Sequence, residues 1–102
     1  MKVTNMKTVI RKYSGKGAAE LINLLEQRAT EVQSLIGSVR GLVSYPLVRT
    51  DGGGFTVTVC EDQAGIDESI QKAKDWIAKN GSHLGVAAPE VSEGSVVFHV
   101  TK

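Results

Sequence analysis

The sequence predicts a ferredoxin-like α+β domain: βαββαβ order, a four-stranded antiparallel sheet and two helices on one face. Three observations carry that expectation. Segments of period-2 alternation are interleaved with two segments of helical period. Asp51-Gly52-Gly53-Gly54 joins two neighbouring strand-like segments, and its glycines allow the positive φ angles of a tight hairpin. The chain has 102 residues, the size of a single domain (1–102) with one core.

Taken in order, Thr8 to Tyr13 alternates, with Val9, Arg11 and Tyr13 on one side and Thr8, Ile10 and Lys12 on the other. Ser14-Gly15-Lys16-Gly17 lacks the spacing of a nucleotide phosphate loop and reads as a strand-to-helix turn. From Ala18 to Val39 apolar residues recur at Leu21, Ile22, Leu25, Ala29, Val32 and Ile36, which predicts one long amphipathic helix. Gly37 or Gly41 would end it, and Arg40 complements its negative end. Leu42 to Thr50 and Phe55 to Glu61 read as the hairpin strands. Pro46 donates no ladder hydrogen bond, which puts its strand at an edge or a bulge. The second helix is expected over Ile66 to Lys79, with Ile66, Ile70, Ala73 and Ile77 on its stripe and Asn80-Gly81 as its stop. Ser82 to Pro89 reads as a loop. Val96 to Thr101 reads as the closing strand.

Two helices cover one face of such a sheet. Alternation assigns Val9, Tyr13, Val43, Tyr45, Leu47, Phe55, Val57, Val59, Val96, Phe98 and Val100 to one face, and Ile10, Leu42, Ser44, Val48, Thr56, Thr58, Cys60, Val97 and His99 to the other. The second set is half apolar, so a second subunit is expected to cover it, making a homodimer. An extra residue at Pro46 would reverse this assignment for the residues after it.

Lys and Arg number 12 against 11 Asp and Glu, a net charge of +1 that gives no electrostatic reason to expect nucleic acid or an anionic membrane. Met1 to Tyr13 has no apolar run of signal-peptide length, and no segment approaches a membrane span. The lone Cys60 excludes an internal disulfide and fits a reducing compartment, so cytoplasm is the expected location.

Few residues carry chemistry. Cys60 is either a small buried strand residue or, given a base such as His99 across the sheet, a nucleophile. His83, in the loop after the second helix, is the candidate general base, histidine being the residue type suited to proton transfer. Trp76, the only tryptophan, packs on the sheet or walls a ligand pocket with Tyr45 opposite. Glu90 and Glu93 are expected to flank a turn. No histidine or carboxylate spacing supports a metal site, and no cofactor is implied.

Gly41-Leu42-Val43-Ser44-Tyr45, Arg49, Phe55-Thr56-Val57-Thr58-Val59 and Glu61-Asp62 before the second helix together resemble the dimeric α+β-barrel superfamily, in particular its antibiotic biosynthesis monooxygenase-like group. The resemblance runs from Lys7 to Val100. It implies sheets paired face to face in a homodimer, and among known activities a cofactor-independent oxygenation of polyphenolic substrates. Haem degradation fits less well. The strand-one asparagine of that branch falls at Thr8, its helix-two histidine has no counterpart before Asn80-Gly81, and Cys60 stands where a Trp often precedes the acidic pair.

Two functions are in view. One is a non-catalytic homodimer binding a small apolar or aromatic ligand between sheet and helices. The other is a metal-free monooxygenase acting on an aromatic or quinol substrate, with Tyr45 and Trp76 holding the ring and His83 moving the proton. A cysteine-dependent redox role is the remaining possibility.

Overall fold

The computed structural model describes residues 5–102; the first residues of the segment read for a leader lie outside them. The elements are β1 (Lys7–Tyr13), α1 (Ala18–Gln27), α2 (Ala29–Gly37), β2 (Leu42–Ser44), β3 (Leu47–Thr50), β4 (Gly53–Cys60), α3 (Gln63–Asn80) and β5 (Glu90–Ser95), with a 3₁₀ turn at Ser82–Leu84. The sheet order is β2-β4-β1-β5, β3 also pairs with β4, and every pairing is antiparallel. This is the expected ferredoxin-like α+β architecture, with β2 and β3 as two pieces of one edge strand interrupted at Tyr45-Pro46.

The single helix expected from Ala18 to Val39 is two. Arg28 leaves helical geometry at φ −106°, ψ 26°, and α2 starts afresh at Ala29. The apolar period passes over the break because Leu25, Val32 and Ile36 are buried on both sides of it. α3 begins earlier than expected, at Gln63. Asp62 caps it, its carboxylate accepting from the Gly65 N–H at 3.0 Å. Asp67 and Glu68 therefore sit in the second turn, where Glu68 pairs with Lys72 at 2.8 Å.

The closing strand is also displaced. It is β5 at Glu90–Ser95, not Val96 to Thr101, so Glu90 and Glu93 lie in a strand and do not flank a turn. β1 pairs with it from Lys7↔Ser95 to Lys12↔Glu90. Beyond it the Val96 N–H donates to the Met6 carbonyl at 2.9 Å. Val97, Phe98 and Val100 are 86%, 78% and 79% exposed. Composition misled here: the β-branched residues come after the strand, while Glu90-Val91-Ser92-Glu93-Gly94-Ser95 forms it because β1 offers a free edge.

The faces of β4 are the reverse of those expected. Register places Val9 opposite Thr58, Arg11 opposite Thr56 and Tyr13 opposite Gly54, and side chains opposite each other share a face. Val9, Tyr13 and Cys60 pack against helix residues, so Thr56, Thr58 and Cys60 lie beneath the helices. Phe55, Val57 and Val59 point the other way, with Ile10 and Val48. The kink at Pro46 carries Tyr45 and Leu47 to the helix side although Leu42 is there too, and Leu47 then pairs with Thr56. That is the one-residue slip a bulge produces.

Under the helices lie two adjoining apolar groups. Tyr13, Ala18, Leu21, Ile22, Leu25, Val32, Ile36 and Trp76 form the larger, and Val9, Val39, Cys60 and Ile66 the smaller. α1 approaches the sheet most closely over Gly54. A Cβ there would meet the Val48 carbonyl oxygen and stand 2.8 Å from Ile22 Cδ1. Gly54→Ala should therefore cost about 1–3 kcal/mol by overpacking, read as a lower urea midpoint with an unchanged denaturant slope.

Candidate functional site

α1 and α2 meet at Arg28 and leave a groove against the broken edge strand. It has a volume of about 430 Å³, within the size range of small-molecule sites. Ile22, Leu25, Val32, Tyr45 and Leu47 make its apolar lining. At the rim Arg49 donates to Glu26 Oε1 at 2.7 Å and Asn23 Oδ1 at 3.0 Å. Both members of that ion pair are largely exposed, so it is worth about 0.2–1 kcal/mol.

Behind the groove lies a smaller chamber of about 20 Å³, room for roughly one water. Leu25, Val32 and Tyr45 line both spaces. Arg11, Tyr13, Thr56 and Trp76 line the chamber alone. Arg11 is 5% exposed, on a central strand. Its guanidinium carbon stands 5.7 Å from the Tyr13 ring centroid, and its Nε is buried with no hydrogen-bond partner. Among the described residues no carboxylate pairs with it.

The two phenols respond to this setting. Burial pushes the Tyr45 hydroxyl pKa above its ordinary value, helped by Tyr13 and opposed by Arg11 and Thr56. Burial raises Tyr13 as well, again against Arg11. Both therefore stay protonated at neutral pH and are able to donate.

Trp76 is 8% exposed and belongs to the core. Its indole Nε1 donates to Glu31 Oε2 at 2.8 Å, and the Arg28 guanidinium lies 5.6 Å from its ring centroid. Arg28 Nε donates to Glu31 Oε1 at 2.8 Å, and its Nη2 bonds the same oxygen. With its only polar atom engaged, Trp76 offers the chamber an apolar surface.

Tyr45 and Trp76, paired on sequence grounds as pocket walls, do meet at one cavity. His83 does not join them. It lines a separate shallow cleft with Glu20, Asn23, Leu24, Gln27 and Leu84. Cys60 is fully buried beside Val9, Val39 and Ile66, and burial, with Asp62 and Glu68 nearby, pushes its thiol pKa up. A protonated buried thiol is a poor nucleophile. His99 is exposed and lies beyond β5, while Cys60 is fully buried in β4. No cluster of metal-ligating side chains occurs among the described residues. None of their helices is long and apolar enough to cross a membrane.

Sequence reasoning passed over Arg11, Tyr13 and Thr56. The signal was present: Arg11 shares the alternation of Val9 and Tyr13, which places a charge in an inward register.

Neither a family model nor a curated protein matches the sequence. Solved structures do match in shape. A protein of unknown function from Nitrosomonas europaea superposes with a TM-score of 0.70 at 16% identity, covering 98% of this chain and 96% of that one. A dimeric ferredoxin-like protein from an uncultured marine organism gives 0.65 at 18%, covering 97% and 100%. SnoaB, a cofactor-independent oxygenase from Streptomyces nogalater, gives 0.66 at 14%, covering 97% and 100%. The chain shares their fold. It is thus similar in architecture to antibiotic biosynthesis monooxygenase-like and dimeric ferredoxin-like proteins, as the hairpin and acidic pair suggested.

The Trp76–Glu31 bond has a measurable signature. The hydrogen bonds from Trp76 and then Arg28 hold the Glu31 pKa below the ordinary carboxylate range. The bond and the stability it gives are therefore present at neutral pH and lost only as pH falls through that lowered value. Trp76 emission should show an acid transition below the usual carboxylate range, and Glu31→Gln should remove it.

Proposed function

We propose that this protein is a homodimer that binds a flat apolar or aromatic molecule in the groove between α1, α2 and the β2–β3 edge. The observation that carries the ligand reading is the groove itself. It is apolar at its walls, and Leu25, Val32 and Tyr45 stand between it and a chamber lined by Trp76 and Arg11. Tyr45 is the ring-stacking wall between the two spaces, and Trp76 backs the chamber. Apolar surface buried there contributes about 25 cal/mol per Å². Against the cost of association, this predicts micromolar to millimolar affinity.

Titrating 2-naphthol, neutral at pH 7, should give a saturable change in Trp76 fluorescence and a matching calorimetric isotherm. Ala29→Phe, which places a ring in the groove, should weaken that binding at least tenfold. Equal affinity in the variant would mean that the ligand sits elsewhere. Trp76→Ala is the poorer probe, because truncating a buried tryptophan costs about 3–5 kcal/mol.

The fold shared with a cofactor-independent oxygenase favours a second reading, oxidation of a quinol-type substrate in the same cavity. His83 lies outside that cavity, and the carboxylate that borders the groove is Glu26, at its rim. Oxygen uptake with bound quinols would support it; saturable binding without uptake supports the binding protein.

The homodimer reading rests on two surfaces. The uncovered sheet face carries Ile10, Val48, Phe55 and Val57, and the segment after β5 exposes Val97, Phe98 and Val100. A face this apolar is covered in a stable assembly. Light scattering at micromolar concentration should give twice 10.9 kDa. Val57→Asp should shift the protein to monomer, since an unpaired carboxylate in an interface costs several kcal/mol. Thr58, which lies beneath the helices, tests core packing and not assembly.

A further inference from the structure

We infer that the chamber recognises an acid group: the ligand is an aromatic carboxylic acid whose carboxylate pairs with Arg11 while its ring occupies the groove. This rests on the groove-binding reading above and specifies the chemistry of its ligand. A buried guanidinium without a partner is costly, and proteins pair such charges or neutralise them. At Arg11 that cost falls on Nε. Its Nε is orphaned, no carboxylate among the described residues pairs with it, and the chamber's remaining lining is aromatic, aliphatic or hydroxylic. The Tyr13 ring beside it supplies attraction through its face but no acceptor for the N–H.

An arginine fork matches a carboxylate in a plane, two parallel N–H donors to two oxygens. The neutral Tyr45 and Tyr13 hydroxyls lining the chamber are further donors suited to an anion. At about 20 Å³ the chamber admits a small polar group and no ring. The 430 Å³ groove takes the ring. Tyr45, in the break between β2 and β3, is the wall that must turn aside to join them.

The experiment compares 2-naphthoate with methyl 2-naphthoate by calorimetry at pH 7. The native protein should bind the acid at least tenfold more tightly than the ester. In Arg11→Met, which keeps the length and removes the charge, the two should bind equally, with ester affinity near the native value. ¹⁵N-edited spectra of the native protein give a second measure: the Arg11 Nε–H resonance should shift on adding the acid and stay in place with the ester. That readout holds even if the variant fails to fold. Equal affinities for acid and ester in the native protein, or a stationary Nε–H signal, would overturn the inference and leave a single water as the partner of Arg11. If 2-naphthol, acid and ester all fail to bind, the groove reading falls and this one with it. Binding of the neutral compounds without preference for the acid removes this inference alone.

Discussion

The antiparallel pairing of β1 with β4 is the constraint on which the other contacts depend. Its register decides that Val9, Arg11 and Tyr13 lie with Thr58, Thr56 and Gly54 on one face. That face is crowded at one end, where Gly54 lets Ile22 of α1 come close, and polar in the middle, where Arg11 and Thr56 lie opposite each other. The helices close over both regions. The opposite face receives Ile10, Val57 and Phe55, more apolar than the middle of the covered one. A sheet usually sends its apolar side toward its helices. Here part of that side is turned away, and the helices instead cover a charged centre.

Much of this architecture was legible in the sequence because hydrophobic period and turn chemistry act locally. The hairpin, whose turn the structure narrows to Asp51-Gly52 with Gly53 and Gly54 already in β4, both helical stripes and the edge position of Pro46 needed only neighbouring residues. The illegible parts depend on distant partners. β5 forms over a segment of poor strand composition because β1 offers it hydrogen bonds, and the more strand-like Val96-Val97-Phe98 runs on past the sheet. The reversal of β4's faces arose from its register with β1, a long-range pairing that alternation within each strand does not encode. The break at Arg28 left no trace because the apolar residues kept their spacing on both sides.

The site was half legible. Aromatic scarcity singled out Trp76 and Tyr45, and the fold brings them to one cavity. Arg11 was already placed on the side of Val9 and Tyr13 by alternation, but nothing local says that this side meets a cavity there. His83 looked chemical because histidine titrates near neutrality, but sequence proximity to α3 says nothing about which side of the molecule its turn faces, and it opens onto another cleft.

The interruption at Tyr45-Pro46 has a consequence for how the molecule avoids uncontrolled growth. A long straight outer strand is a template for further strands, which is how sheets polymerise. β2 and β3 are three and four residues long, and the proline between them lacks the donor that a docking strand would use. The carbonyl of Pro46 is already taken by the Val57 N–H at 3.2 Å. Lateral extension is therefore disfavoured on that side of the sheet, and the short broken edge acts as a stop to strand-by-strand growth.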